Sequence, residues 1–177
     1  MTPHRWLIRL LEGSGFVESD RVVAFSLRPS RSKTSFERSS AIFPISESDL
    51  SVIERLDRDA FARPWQMDGD ALRETWRRAI WASGFHREGR LAGYLMATPT
   101  PQGVHISRLA VHPEHQNKGI GRSLIGRLLE DFRRRGIPQI TVNTQLQNPH
   151  SHRLYRSLGF HETGEHLPVF RFDVPRR

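Results

Sequence analysis

The stretch from Ile106 to Phe132 constrains the fold more than any other part of the chain. An apolar, β-rich run, Ile106-Ser-Arg-Leu-Ala-Val111, ends at the turn His112-Pro-Glu-His115. Gln116-Asn-Lys-Gly119-Ile-Gly121 follows. It leads straight into Arg122–Phe132, where Leu124, Ile125, Leu128, Leu129 and Phe132 recur at helical spacing. A strand, a glycine turn and a helix N-terminus form an anion cradle. The first helical N–H groups lack intrahelical partners, and the helix dipole places partial positive charge there. Gly119 and Gly121 let backbone approach a phosphate without a Cβ in the way. Lys118 and Arg122 add charge.

Two phosphate-binding readings of this turn fail. No Gly-Lys-Ser/Thr closes it, so it is not a nucleoside triphosphate loop. No third glycine, and no acidic residue ending a following strand, supports a dinucleotide fold.

The downstream sequence narrows the reading. Gly136-Ile-Pro precedes a strand, Gln139-Ile-Thr-Val-Asn-Thr144, and then comes Asn148-Pro-His-Ser151-His-Arg-Leu154-Tyr155-Arg-Ser-Leu158-Gly159-Phe160. With the Gln-x-x-Gly-x-Gly turn, this resembles the GNAT N-acetyltransferase superfamily over roughly Ile42 to Val174. The pattern is nearest to the ribosomal-protein alanine N-acetyltransferases, which Phe61-Ala-Arg-Pro-Trp65 also resembles.

The resemblance implies an α/β fold with a mixed, strongly twisted sheet, a splayed parallel strand pair, and acetyl-CoA as co-substrate. It implies that Leu109 and Val111 offer backbone atoms to the pantetheine arm. Gln116, Asn117, Lys118, Gly119, Ile120, Gly121 and Arg122 would hold the pyrophosphate. Asn148 would contact the arm, although Asn before Pro is also an ordinary helix cap. Tyr155 would protonate the departing thiolate, which leaves better when protonated. Its plainer role is a half-buried aromatic with a satisfied hydroxyl.

The general base departs from the family pattern. Asn143 stands where the ribosomal-protein enzymes carry glutamate, and asparagine cannot take a proton. His105 stands where the histone-acetyltransferase branch carries its glutamate. A histidine with a pKa of about 6.5 can serve directly or through water. His112, His115, His150 and His152 show no metal-ligand spacing, so no metal is expected.

The chain has 177 residues and a net charge of +8, almost all arginine, with lysine only at positions 33 and 118. The arginines are scattered rather than striped, which reads as a solvated surface more than a nucleic-acid face. There is no cysteine, which excludes disulfides, thiolate zinc sites and a cysteine nucleophile. No apolar run approaches the ~20 residues that span a bilayer, and no signal-peptide core is present. The chain reads as soluble and cytoplasmic.

Three regions are expected. Residues 1–27 form an N-terminal helix-hairpin extension, 28–40 a Ser- and Arg-rich linker, and 41–177 the acetyltransferase domain, in the order β-α-α-β-β-β-α-β-α-β-β. Residues 1–27 echo the C-terminus. Trp6–Leu11, Gly15-Phe16 and Arg21–Leu27 repeat the order of Leu154–Leu158, Gly159-Phe160 and Val169–Phe172. They read as a relic of a preceding repeat. Their apolar residues need a partner, by strand addition beside the last strands or through a homodimer. Arg63-Pro-Trp65 and a loop at His161–Leu167 would set the acceptor, a small-molecule or peptide primary amine. A non-catalytic acyl-CoA-binding module and a nucleic-acid-associated protein are the alternatives.

Overall fold

The structure, a computed structural model, describes residues 5–29 and 39–174. Residues 30–38 of the expected linker lie outside the described residues. The chain divides into two compact units, one of residues 28–141 and one of residues 1–27 with 142–177.

The 28–141 unit is built on an antiparallel run of strands in the order β2-β3-β4-β5: Ile42–Pro44, Trp81–Arg87, Arg90–Thr100 and Gly103–Val111. Glu88 (φ +54°) and Gly89 (φ +74°) join β3 to β4. Positive φ at both central residues is the hairpin turn whose twist matches the flanking strands. Gly103 opens β5 because nothing larger fits: a Cβ there would lie 2.1 Å from the Gln139 carbonyl oxygen.

A capping box, in which the Ser46 backbone N–H donates to Asp49 Oδ2 at 2.8 Å, opens the short turn Glu47–Asp49 that leads into helix α2 (Leu50–Ala60). Helix α3 (Gly69–Arg78) is capped by Asp68, whose Oδ1 accepts from the Ala71 N–H at 2.8 Å. Leu50, Ile53 and Leu56 of α2 and Leu72 of α3 pack against Tyr94, Met96 and Ala110. Helix α4 (Ile120–Arg134) buries Leu124, Ile125, Leu128, Leu129 and Phe132. Trp81 Nε1 donates to Asp131 Oδ2 at 3.2 Å, tying β3 to this helix.

The other unit holds α1 (Arg5–Gly13), β1 (Val17–Leu27), β6 (Ile140–Gln145, which starts at the end of the first unit), α5 (Pro149–Ser157) and β7 (His161–Arg171). Its strand order is β6-β1-β7. β1 runs antiparallel to β7 from Val17↔Arg171 to Ser26↔His161. The N-terminal strand is therefore the middle strand of its unit. Where two strands were expected after α5, there is one long strand, and its hairpin-like partner comes from the other end of the chain. The His161–Leu167 stretch, expected as a loop, is part of β7. Helix α1 buries no residue and leaves Trp6 64% exposed. Taken together, the elements make the mixed, twisted α/β architecture that the resemblance implies, with a helix ahead of the first strand.

Candidate active site

β5 leads to the anion cradle. The register with β4 steps from Met96↔Arg108 to Ala97↔Ile106, so Ser107 is the extra residue of a bulge. A bulge bends its strand and raises the local twist. The Ser107 hydroxyl meets Thr98 Oγ1 at 2.6 Å, which satisfies a polar group at the irregularity. Leu109 and Val111 lie beyond the bulge and are half-buried.

After β5, His112 Nδ1 accepts from the Glu114 N–H at 3.4 Å, and a short turn runs through Pro113–His115. Gln116 folds back, its Nε2 donating to the Val111 carbonyl at 3.2 Å. Its side chain thus closes the loop onto the strand end. Asn117 (φ +59°) and Gly119 (φ +81°) both take the left-handed conformation. Gly119 is the N-cap of α4, with no side-chain cap, and the first helical bond runs from the Ser123 N–H to the Gly119 carbonyl at 2.9 Å. The N–H groups of Ile120, Gly121 and Arg122 precede that bond. Gln116, Asn117, Lys118 and Gly119 are exposed, whereas the Ile120 side chain is 2% exposed and belongs to the core. Ile120 can offer a ligand only its backbone.

His105 lies on β5 before the bulge. Its Nδ1 is 2.9 Å from Thr141 Oγ1, and burial pulls its pKa below the ordinary 6.5. The ring is neutral at pH 7. The tautomer that donates from Nδ1 to Thr141 leaves Nε2 as a proton acceptor. Asn143, on β6, is exposed.

Sequence reasoning missed a buried polar network in the same unit. Asp57 of α2 is fully buried. Arg108 Nε and Nη2 donate to its two oxygens at 2.6 Å each, the Tyr94 hydroxyl donates at 2.5 Å, and the Met67 N–H at 2.9 Å. Arg108 Nη2 also donates to the Trp65 carbonyl at 2.7 Å, and its guanidinium sits 3.6 Å from the centre of the Phe61 ring. Burial first, then the Asp57 charge, raises the Tyr94 hydroxyl well above its ordinary pKa of 10. Together these contacts pin the 61–67 segment, through Phe61 and Trp65 to Arg108 of β5 and through Met67 to Asp57 of α2. Two signals were present in the sequence: the lone charge in the run Ile106–Val111, and the acid one turn after Ile53 on an apolar helix face.

The remaining candidates lie in the other unit. Asn148 caps α5, its Oδ1 accepting from the Ser151 N–H at 3.1 Å, so the ordinary cap role is present. Tyr155 is 4% exposed. Burial raises its hydroxyl above the ordinary value, and a hydrogen bond with Ser151 pulls partly the other way. The phenol is protonated throughout the neutral range. His152 Nε2 lies 3.0 Å from the Gln145 carbonyl, and His150 Nδ1 lies 3.1 Å from Arg153. Among the described residues no cluster of His, Asp and Glu is placed to hold a metal, and no helix is long and apolar enough to cross a membrane.

Similarity to known proteins agrees with this geometry. The Acetyltransferase (GNAT) family matches residues 50–160. The ribosomal protein bS18-alanine N-acetyltransferase of Escherichia coli K12 is 25% identical over 121 residues, 68% of this chain and 80% of that one. A GCN5-related N-acetyltransferase from Sphaerobacter thermophilus superposes with TM-score 0.69 at 17% identity, over 93% of this chain and 54% of that one. The PaiA N-acetyltransferase of Thermoplasma acidophilum, solved with coenzyme A, superposes with TM-score 0.61 at 18% identity, over 68% of this chain and 88% of that one. With the strand, left-handed turn and uncapped helix N-terminus all inside the matched residues, this chain belongs to the GNAT family and is an acetyl-CoA-dependent N-acetyltransferase.

Proposed function

We propose that the chain moves acetyl from acetyl-CoA to a primary amine of a small molecule or peptide, by direct attack in a ternary complex. The observation that carries this is the uncapped start of α4, entered through left-handed Asn117 and Gly119 and flanked by Lys118 and Arg122. That arrangement suits a pyrophosphate. Gln116 shapes the loop, Leu109 and Val111 offer backbone groups to the pantetheine arm, and Asn148 contacts it. The splayed strand pair that would receive the arm is part of the same reading.

In the transfer step the amine nitrogen attacks the thioester carbonyl carbon, and the carbonyl electrons move onto oxygen. The Val111 N–H is the proposed donor to that oxyanion. Collapse breaks the C–S bond. Tyr155 gives its proton to the sulfur, and His105, neutral at pH 7, takes the proton lost by the amine, directly or through water. No cysteine is available to carry the acetyl group covalently. We place the acceptor against Arg63–Trp65, the segment that Arg108 and Asp57 fix.

Residues 1–27 read as the closing segment of a preceding repeat, followed by a linker at 28–40 and the transferase at 41–177. The pairing of β1 with β7 supports this. So does the Sphaerobacter superposition, which extends over nearly all of this chain but only about half of that one.

Gly119→Glu is the sharpest test of the cradle. A Cβ there meets no atom within 4 Å, so the folding cost is confined to the left-handed backbone, about 1–2 kcal/mol. The new carboxylate faces the proposed phosphate. Calorimetry should show acetyl-CoA binding weakened by at least ~100-fold in a folded protein, since a like charge at a phosphate site costs several kcal/mol. Unchanged affinity removes the cradle from the site. Gly121 is less useful, because it is buried in the first turn of α4 and a bulky residue there disturbs the core.

A further inference from the structure

We propose that β1 is a working part of the acetyl-transfer site, with Phe25 as a positioning residue that fixes the ring of Tyr155. The inference rests on the reading of Tyr155 as proton donor to the coenzyme sulfur. It goes further, because it takes the seat of that donor from the N-terminal end of the chain, outside the residues that match the family.

The geometry is compact. Tyr155 and His152 stand three residues apart on α5 and are its two buried residues. Both rings meet Phe25, which is fully buried: the His152 centroid lies 5.2 Å away, edge-on, and the Tyr155 centroid 5.7 Å away. Phe160 touches the Tyr155 ring separately, with centroids 5.8 Å apart. Tyr155 is therefore held by two aromatic rings. Phe160 comes from its own helix–strand junction and lies within the family match, whereas Phe25 comes from β1 and does not.

β1 can do this because of its place in the sheet. It is the middle strand of β6-β1-β7, so Val23 and Phe25 are both fully buried. Thr163 Oγ1 donates to the Ala24 carbonyl at 3.2 Å, and the Leu146 N–H donates to the Arg21 carbonyl at 2.7 Å. Both flanking segments thus bond directly to the β1 backbone just ahead of Phe25. Without residues 17–27, β6 and β7 lose their common neighbour, and one wall of the Tyr155 ring becomes solvent.

The chemical consequence follows from the tolerance of proton transfer. A donor must sit within hydrogen-bond reach of the sulfur as charge develops, and a misplacement of ~1 Å costs about 100-fold in rate. Phe25 takes no proton; the Arg156 guanidinium lies 5.9 Å from its ring centre. Its effect is confined to where the Tyr155 hydroxyl can be.

The test is a double-mutant cycle in the full chain with Phe25→Leu, Tyr155→Phe and the double variant. kcat is measured by thiol release from acetyl-CoA with an alanine-initiated peptide, and acetyl-CoA affinity by calorimetry. Phe25→Leu should lower kcat about 10- to 100-fold while coenzyme affinity stays within about twofold. The double variant should turn over no more slowly than Tyr155→Phe alone, because the two act as one unit. Losses that multiply make Phe25 a general support of the fold and overturn the inference. Phe25→Leu at the wild-type rate, beside a slow Tyr155→Phe, overturns it while leaving the donor reading standing. Tyr155→Phe at the wild-type rate removes the donor reading and this inference with it. A second readout needs no turnover. In Phe25→Met, which conserves volume, the ¹³C resonance of the Tyr155 Cζ should shift while that of Tyr94 stays. An unmoved Tyr155 resonance also overturns the proposal, and this reading holds if Phe25→Leu fails to fold or the peptide is not an acceptor.

Discussion

Replacing Arg108 by methionine should separate folding from acceptor binding. The side chain is 12% exposed and its partner carboxylate 0% exposed. The substitution keeps much of the aliphatic volume but removes two charge-assisted bonds to Asp57 and one bond to the Trp65 carbonyl. Breaking one side of a buried pair costs about 3–5 kcal/mol, chiefly because the remaining charge is stranded. The Tyr94 hydroxyl and the Met67 N–H still reach Asp57, so the lower end, about 3 kcal/mol, is expected. For a chain of this length, that lowers Tm by about 6–12 °C. Asp57→Asn combined with Arg108→Met removes both charges and should recover more than half of the loss. The 61–67 segment also loses its anchor on β5. In steady-state assays the acceptor KM should therefore rise while acetyl-CoA affinity holds. Thermal melting of the wild type and both variants reads the first effect, and varied-acceptor kinetics the second. A single variant within about 1 kcal/mol of wild type would put this pair in the class of surface bridges and refute the clamp. Unchanged acceptor KM in a destabilised Arg108→Met would confine the network to folding.

Three further outcomes follow from the same geometry. His105→Ala should slow transfer and abolish the acidic limb of the pH–rate profile. That limb should fall below pH 6.5, because burial lowers the His105 pKa and the base works only when neutral; an unaltered profile assigns deprotonation elsewhere. Burial alone would raise the Asp131 pKa, but bonds from Trp81 and Arg134 and the Arg127 charge hold it below the ordinary value. A depressed carboxylate stabilises the fold above its unfolded pKa and loses that contribution as pH falls through the folded value. Asp131→Asn should therefore flatten the loss of Tm below about pH 4, and an equally steep loss would exclude it. A chain beginning at Ala41 should be poorly soluble or change its oligomeric state, because it lacks the middle strand of β6-β1-β7. Light scattering and melting curves matching the full chain would show residues 1–27 to be dispensable.

What could be read in the sequence was whatever local periodicity or turn chemistry encodes. The apolar stripe Leu124–Phe132 gave α4, and the Gln116–Gly121 turn marked its start. The echo between the two ends of the chain pointed β1 toward the last strands, where it pairs with β7. Its middle position was not legible, because strand order depends on long-range packing. His161–Leu167 was expected as a loop, yet β7 runs through it. Part of the match to β1 comes through two register shifts. Nor did the sequence join Asp57 to Arg108 and Tyr94, or His105 to Thr141. Such pairs satisfy buried polar groups across elements far apart in the chain, and a single-sequence pattern has no term for them.

The most direct measurement is acetyl transfer by the purified full chain. Acetyl-CoA is incubated with a panel of amino acids, peptides and aminoglycosides while free thiol and acetylated product are followed together. The account predicts thiol release that depends on one class of amine and matches acetylated amine mole for mole, with no acetyl left on the protein. Thiol release that is indifferent to amine, or an acetylated protein intermediate that later passes its group on, would contradict direct attack.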